Sequence, residues 1–207
     1  MEKKRSVIVA AARKAFLEGG YAETSMDRIA TAAGVGIKTV YRHFENKDDL
    51  FSAVMQAACR QEILASSNEH GPASLSDRPW FSKPPRMALS AAGIEYLQHA
   101  LSKEQLDLYR VVTRDAHRFP ELGRRYREEV LERQSDIFSR YLDRWAKTEK
   151  WKVKNRRRAG HTFISFLRAD LFDSALHGLA VFDESEIAEH ARFAAANMLL
   201  LLKSGLL

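Results

Sequence analysis

TSMDRIATAAGVGIKTVYRHFENK, Thr24 to Lys47, holds two short apolar periodicities separated by glycines. Met26, Ile29, Ala30 and Ala33 fall at i, i+3, i+4 and i+7, the stripe of a short amphipathic helix. Thr24 followed by Asp27 has the spacing of a capping box, and Asp27 suits the positive helix end. Gly34-Val35-Gly36 ends that helix, because glycine tolerates the left-handed backbone of a sharp turn. A second helix is expected over roughly Ile37–Phe44, with Val40 and Phe44 inward. Lys38, Thr39 and Arg42 then face outward, Tyr41 and His43 lie on the flanks, and Asn46 with Asp49 caps a further helix. Two short helices about a tight turn, the second polar and basic on its free face, form a helix-turn-helix. In that arrangement the second helix enters the DNA major groove.

Upstream, Ile8, Ala11, Ala12, Ala15 and Phe16 form one stripe that Gly19-Gly20 stops. Residues 1–47 therefore read as a three-helix DNA-binding domain with Phe16, Ile29, Val40 and Phe44 as its core. Met1–Arg5 reads as a basic arm or a frayed terminus. The run Ile8–Leu50, with AARKAF and GGYAETSMDRIATAAGVGIKTVYRHFENKDDL, resembles the amino-terminal domain of the TetR family of bacterial transcription regulators. Two positions depart from that family's commonest pattern: Gly36 stands where Ser is frequent and Lys38 where Gly is frequent. Gly36 forfeits a hydroxyl for a phosphate, and Lys38 adds a cation at the start of the recognition helix. Lys38, Thr39, Tyr41 and His43 are expected near bases and adjacent phosphates. Thr24, Ser25, Arg42 and Lys47 are expected at the phosphate edges, and Gly36 is counted with the DNA-binding positions.

The chain has 207 residues, 45% hydrophobic, with a formal charge of +6, which suits a polyanionic partner. Asp27, Glu45, Asp48 and Asp49 offset the cations of the first domain, so DNA affinity must rest on placed contacts. One cysteine, Cys59, rules out an intramolecular disulfide and agrees with a cytoplasmic protein. It reads as a packing residue, with a redox-sensing thiol as the alternative. No apolar run approaches the ~20 residues of a membrane helix. The apolar amino-terminal stretch is interrupted by Arg13-Lys14 and has a helical period, unlike a signal peptide. No phosphate-binding loop, dinucleotide fingerprint, nucleophile elbow or paired-histidine motif appears, so the chain reads as no enzyme, with no cofactor. The scattered histidines lack the spacing of a metal site.

From 48 to 207 the chain reads as a larger helical domain, making the whole all-α. Helices are expected over roughly Asn46–Ser66, Arg86–Leu101, Lys103–His117, Pro120–Lys147, Asn155–His177 and Glu184–Lys203. The stretch Asn68–Pro85 is a long connection whose Trp80 and Phe81 need an apolar dock. RVVTRDAHRFPEL, Arg110–Leu122, is similar to the ligand-binding part of a subset of TetR regulators. The resemblance implies a pocket for a small apolar or aromatic inducer. Its candidate lining is Tyr96, Tyr109, Val112, Phe138, Tyr141, Phe166 and Phe172, with His99 or His177 as polar anchors. Ordinary core packing is the competing reading for every one of these aromatics. The resemblance also implies a homodimer through the last two long helices, with Phe163, Leu167, Leu171, Ala191, Ala194 and Met198 at the interface. The basic run Trp151–Gly160 reads as a solvated interhelical loop. The function expected is a ligand-responsive regulator, most simply a repressor, binding a palindromic double-stranded operator. A structural, chromosome-organising DNA binder without an inducer is the second reading.

Overall fold

The computed structural model describes residues 2–65 and 78–207, with side chains described for 3–58 and 78–207. The side chain of Cys59 and most of the long connection before Arg78 lie outside these residues. The described chain is all-α, without a strand. Its helices are α1 (Glu2–Glu23), α2 (Met26–Ala32), α3 (Ile37–His43), α4 (Lys47–Ala65), α5 (Pro85–Ala100) and α6 (Lys103–Asp115). Then come α7 (Pro120–Tyr126), a π-helical turn (Arg127–Glu132), α8 (Arg133–Trp145), α9 (Arg156–Leu176) and α10 (Glu184–Ser204). The expected helix from Pro120 is thus α7, the π turn and α8 in succession. Pro85 and Pro120 open their helices, where a missing N–H costs nothing.

The chain divides into two compact units, Met1–Gln61 with Asp107–Leu131, and Glu62–Leu106 with Glu132–Leu207. Packing therefore groups α7 and most of α6 with the helix-turn-helix, whereas the sequence reading drew a line after residue 47. In the first unit Ile8, Phe16, Ile29 and Val40 are fully buried, and Phe44 nearly so. Phe51, Val54 and Met55 of α4, with Val111 and Leu122, complete that core. Phe16, Tyr21 and Phe51 pack ring on ring, with centroids 5.1 to 5.6 Å apart.

In the second unit α10 packs along α5 and α9, and α8 against α9. Asp183 builds a capping box at the start of α10: its Oδ1 accepts from Ser185 and Glu186 N–H at 2.8 and 2.9 Å. Glu186 accepts from Asp183 N–H in return, at 2.9 Å. Trp80 and Phe81 find their apolar dock on Tyr141, at centroid distances of 5.8 and 6.0 Å. The Tyr141 hydroxyl donates to the Lys83 carbonyl at 2.9 Å.

Candidate nucleic-acid interface

The helix-turn-helix is built as its periodicity required, with one exchange of roles. Ser25, not Thr24, caps α2, accepting from Arg28 N–H at 3.2 Å. Thr24 is buried, and its hydroxyl donates to the Gly20 and Ala15 carbonyls at 2.7 and 3.0 Å. A buried hydroxyl spent on backbone cannot hold a phosphate, which corrects the expectation for Thr24. Gly34 takes the left-handed conformation, φ 64°, that turns the chain, and Val35 and Ile37 pack on the core beneath. Gly36 needs no such freedom: at φ −69° and ψ 147° it is the N-cap of α3, without a side chain to close the helix. Asn46 caps α4 as expected, its Oδ1 accepting from Asp49 N–H at 2.9 Å.

On α3, Lys38, Tyr41 and Arg42 are exposed, and Thr39 is half-buried. Tyr41 leaves 52% of its surface open, unusual for an aromatic beside a packed core. His43 is half-buried, and its Nε2 is enclosed without a hydrogen-bond partner. Ser25 and Gly36 are exposed at the helix starts. The outer faces of α2 and α3 thus offer cations, hydroxyls and a phenol. A residue missed from sequence joins them: the Arg5 guanidinium lies over the Phe44 ring, 5.0 Å from its centroid. Its signal was its register, one turn before Ile8 on the buried stripe of α1. Lys3–Arg5 belong to α1 and do not form a free arm.

Lys47 departs from its expected role. Its ammonium donates to the Tyr21 and Thr24 carbonyls at 2.9 and 3.1 Å. It also sits over the Tyr21 ring at 4.3 Å. Burial lowers its pKa, opposed by the charges of Asp48, Asp115 and Glu23. The Tyr21 hydroxyl donates to Asp48. Burial first, then that hydrogen bond, push the phenol above its ordinary range. Lys47 therefore fastens α4 to the joint between α1 and α2. From α6, Asp115 accepts from Tyr21 N–H at 2.8 Å and Ala22 N–H at 3.3 Å. These N–H groups are released because α1 breaks at Gly20, φ 80°. The Arg114 guanidinium fills the place a Cβ on Gly20 would take.

The second unit holds a cavity of about 50 Å³ that is partly open to solvent. Arg78, Trp80, Ala92 and Tyr96 line one side, and Gln134, Ile137, Phe138, Phe163, Ile164 and Leu167 the other. Of the expected lining, Tyr96 and Phe138 are there. Tyr109 and Val112 belong to the first unit, where Tyr109 packs on Tyr126 at 5.5 Å. Tyr141 is core, Phe172 is buried under the Arg168 guanidinium, and Phe166 packs against the core while its carbonyl meets His190. His177 is exposed at the end of α9, so it anchors nothing inside. His99 lies near Arg78; burial, with that positive charge, lowers its pKa to about 4.

The expected dimer residues are also reassigned. Phe163, Leu167, Ala191, Ala194 and Met198 are 0–3% exposed within one chain, and Leu171 is half-buried. The first five serve the core and, for Phe163 and Leu167, the cavity wall. The face of α10 left open carries Phe193 and Leu200, each 67% exposed, with Ala196 between them. The basic run is exposed at Lys152, Lys154 and Arg156–Arg158, but from Arg156 it belongs to α9 rather than to a loop, and Trp151, Ala159 and Gly160 are buried. Among the described residues no helix is long and apolar enough to cross a membrane, and no cluster of side chains could hold a metal ion.

Comparison with known proteins agrees with this geometry. The model of bacterial regulatory proteins of the tetR family matches residues 8–54. The model of the AefR-like transcriptional repressor C-terminal domain matches residues 87–202. Among curated relatives, the regulator YhgD of Bacillus subtilis is 36% identical over 58 residues, 28% of this chain and 30% of that protein. The transcriptional activator FasR of Mycolicibacterium smegmatis is 38% identical over 55 residues, 27% of this chain and 25% of that protein. These matches span less than a third of either relative. Solved structures are alike over nearly the whole chain. A TetR-family regulator from Mesorhizobium loti has a TM-score of 0.79 at 25% identity, covering 97% of this chain and 96% of that one. The flavonoid-responsive regulator FrrA has a TM-score of 0.76 at 25% identity, covering 97% of both chains. A helix-turn-helix unit followed by an all-helical unit is thus matched along nearly the whole chain, and the chain belongs to the TetR family of bacterial regulatory proteins.

Proposed function

We propose that the chain is a cytoplasmic, ligand-responsive repressor that binds a palindromic double-stranded operator as a homodimer. Residues 1–47 read DNA, and 48–207 serve ligand binding and dimerisation. The observation that carries the reading is the outer face of α3, where Lys38, Tyr41 and Arg42 are exposed while Val40 and Phe44 are locked in the core. Side chains on so rigid a base reach base edges and phosphates without a large ordering cost. Ser25, Gly36, Thr39 and His43 flank this face, and Arg5 joins it. One helix-turn-helix covers few base pairs, so a two-fold dimer reading two half-sites supplies the remaining specificity. The outer stripe of α10, Phe193, Ala196 and Leu200, supports a dimer whose contacts lie on the outer faces of the last helices.

The cavity supports an inducer, and its aromatic walls favour an aromatic one; FrrA, similar over the whole chain, is named as flavonoid-responsive. A ligand releases DNA only by binding the DNA-incompetent state more tightly. Both α4 and α6 contribute residues to each compact unit, so either helix is a covalent route for that coupling. Repression is the simpler sign, although FasR, alike in its amino-terminal part, is an activator.

Selection of bound duplexes from a random pool, at one stated salt concentration, tests the reading. Enrichment of a palindrome is expected. Tyr41→Ala should then weaken binding to it while leaving the oligomeric state unchanged. Binding without sequence preference, or indifference to Tyr41→Ala, overturns the proposed docking.

A further inference from the structure

We infer that the cavity of the second unit takes a neutral single-ring aromatic carrying one hydroxyl or carbonyl group, a phenol being the simplest, and rejects aromatic carboxylates. The inference deepens the inducer reading and rests on it for its regulatory consequence.

The walls argue for a flat apolar guest. Phe138 and Phe163 lie 4.7 Å apart between centroids, with Ile137 and Leu167 beside them. Such surfaces favour aromatic stacking and repel hydration. The size suits a single ring. A water needs roughly 10–15 Å³ on this measure, so a cavity of about 50 Å³ holds only a few water-sized centres.

The polar end sets the charge. Arg78 lines the cavity and by itself would invite a carboxylate. Its guanidinium is paired with Glu95, and the other Glu95 oxygen accepts the Trp80 indole N–H at 2.6 Å. The Arg78 charge is thereby balanced, and the indole donor is spent. An entering carboxylate would lose its hydration to meet a cation already paired, with the Glu95 charge just behind it. His99, held neutral by burial and by Arg78, adds no second cation. Gln134, on the opposite wall, is different: its amide has no hydrogen-bond partner among the described residues. It can accept from a phenol or donate to a carbonyl. An uncharged polar group in an aromatic-walled cavity favours an uncharged polar group on the guest.

Three matched probes test this on the full chain by calorimetry: p-cresol, toluene and p-toluate. On the unaltered protein p-cresol should bind about fivefold more tightly than toluene, the worth of one neutral hydrogen bond. It should exceed p-toluate by roughly tenfold or more. Gln134→Leu should bring p-cresol down to toluene. Glu95→Gln, which unbalances Arg78, should raise p-toluate relative to p-cresol. Should Glu95→Gln fail to fold, half-exposed Gln134 still decides the matter. Binding of p-toluate equal to p-cresol, or a p-cresol advantage that survives Gln134→Leu, overturns the inference. Binding of none of the three, with operator binding intact, overturns it and leaves DNA recognition standing. Binding of p-cresol with no change in operator affinity sustains the ligand class and defeats the inducer reading.

Discussion

A buried carboxylate on α6 holds the break in α1. Asp115 is 4% exposed and accepts two backbone N–H groups that the turn at Gly20 sets free. Burial pushes its pKa up, but the Arg114 hydrogen bond and the Ala22 and Tyr21 N–H groups more than offset that and hold the carboxyl below its ordinary value. Asp115→Ala should therefore cost on the order of 1–3 kcal/mol, the penalty of leaving buried donors unmet, seen as a lower urea midpoint. His99 gives a pH dependence of defined sign. Its folded pKa of about 4 lies below the ordinary 6.5, so between these values the unfolded chain binds more protons. Its contribution is complete above pH 6.5 and is lost as pH falls towards 4. Between pH 7 and 5 it should cost up to about 2 kcal/mol. Denaturation of the wild type and of His99→Gln at both pH values checks this; equal losses would refute it.

Among the elements, α3 begins without a side-chain cap. Gly36 is its N-cap with no side-chain hydrogen bond, its backbone is extended, and a Cβ there would meet nothing within 4 Å. Gly36→Ser should therefore fit without strain and stabilise by a few tenths of a kcal/mol. If the turn lies against a phosphate, the added hydroxyl should also tighten operator binding; weaker binding would place this turn away from the DNA. The helices were legible because each carries its own punctuation. Pro85, Pro120, Asn46 and Asp183 act within one turn of themselves, so their roles needed no distant partner. The exchange between Thr24 and Ser25 was not legible. Both are hydroxyl residues, and only the carbonyls of Ala15 and Gly20, brought up by the break in α1, decide which is buried. The π turn at Arg127–Glu132 likewise leaves no mark in a continuous helical period.

At the scale of the molecule, charge and apolar surface are unevenly placed. Between Arg140 and Arg158 lie nine of the 33 cationic residues and two of the 27 acidic ones, so this segment carries +7 and the remainder of the chain −1. Specific DNA binding is therefore expected to depend on a few placed cations. Its logarithm should fall with the logarithm of salt at about −0.9 per neutralised phosphate. Lys38→Ala should make that slope shallower if Lys38 meets a phosphate, and relax preference at one base pair if it reads a base. The open stripe on α10 is the proposed dimer contact. Phe193→Glu with Leu200→Glu should leave helicity unchanged, give a monomer by analytical ultracentrifugation and abolish operator binding. A dimer that survives both charges would place the interface elsewhere.

What the sequence determined by itself is whatever a short stretch settles locally: the all-α class, most helix starts, the helix-turn-helix and the outward residues of α3. Hydrophobic period, caps and glycine turns are local physics, and a recognition helix seven residues long is read from its own alternation of core and solvent. Only the tertiary structure decided which partners distant side chains found. Phe163, Leu167, Ala191 and Met198 have the same helical period whether they meet their own chain or another, and packing assigned them to their own. Tyr109 and Phe138 look alike in sequence, yet one joins the first core and the other the cavity wall. Lys47 reads as a phosphate ligand until the Tyr21 and Thr24 carbonyls come within reach. Non-local partners are set by the closing of helices on one another, and a charge or an aromatic ring carries no sign of which neighbour will arrive.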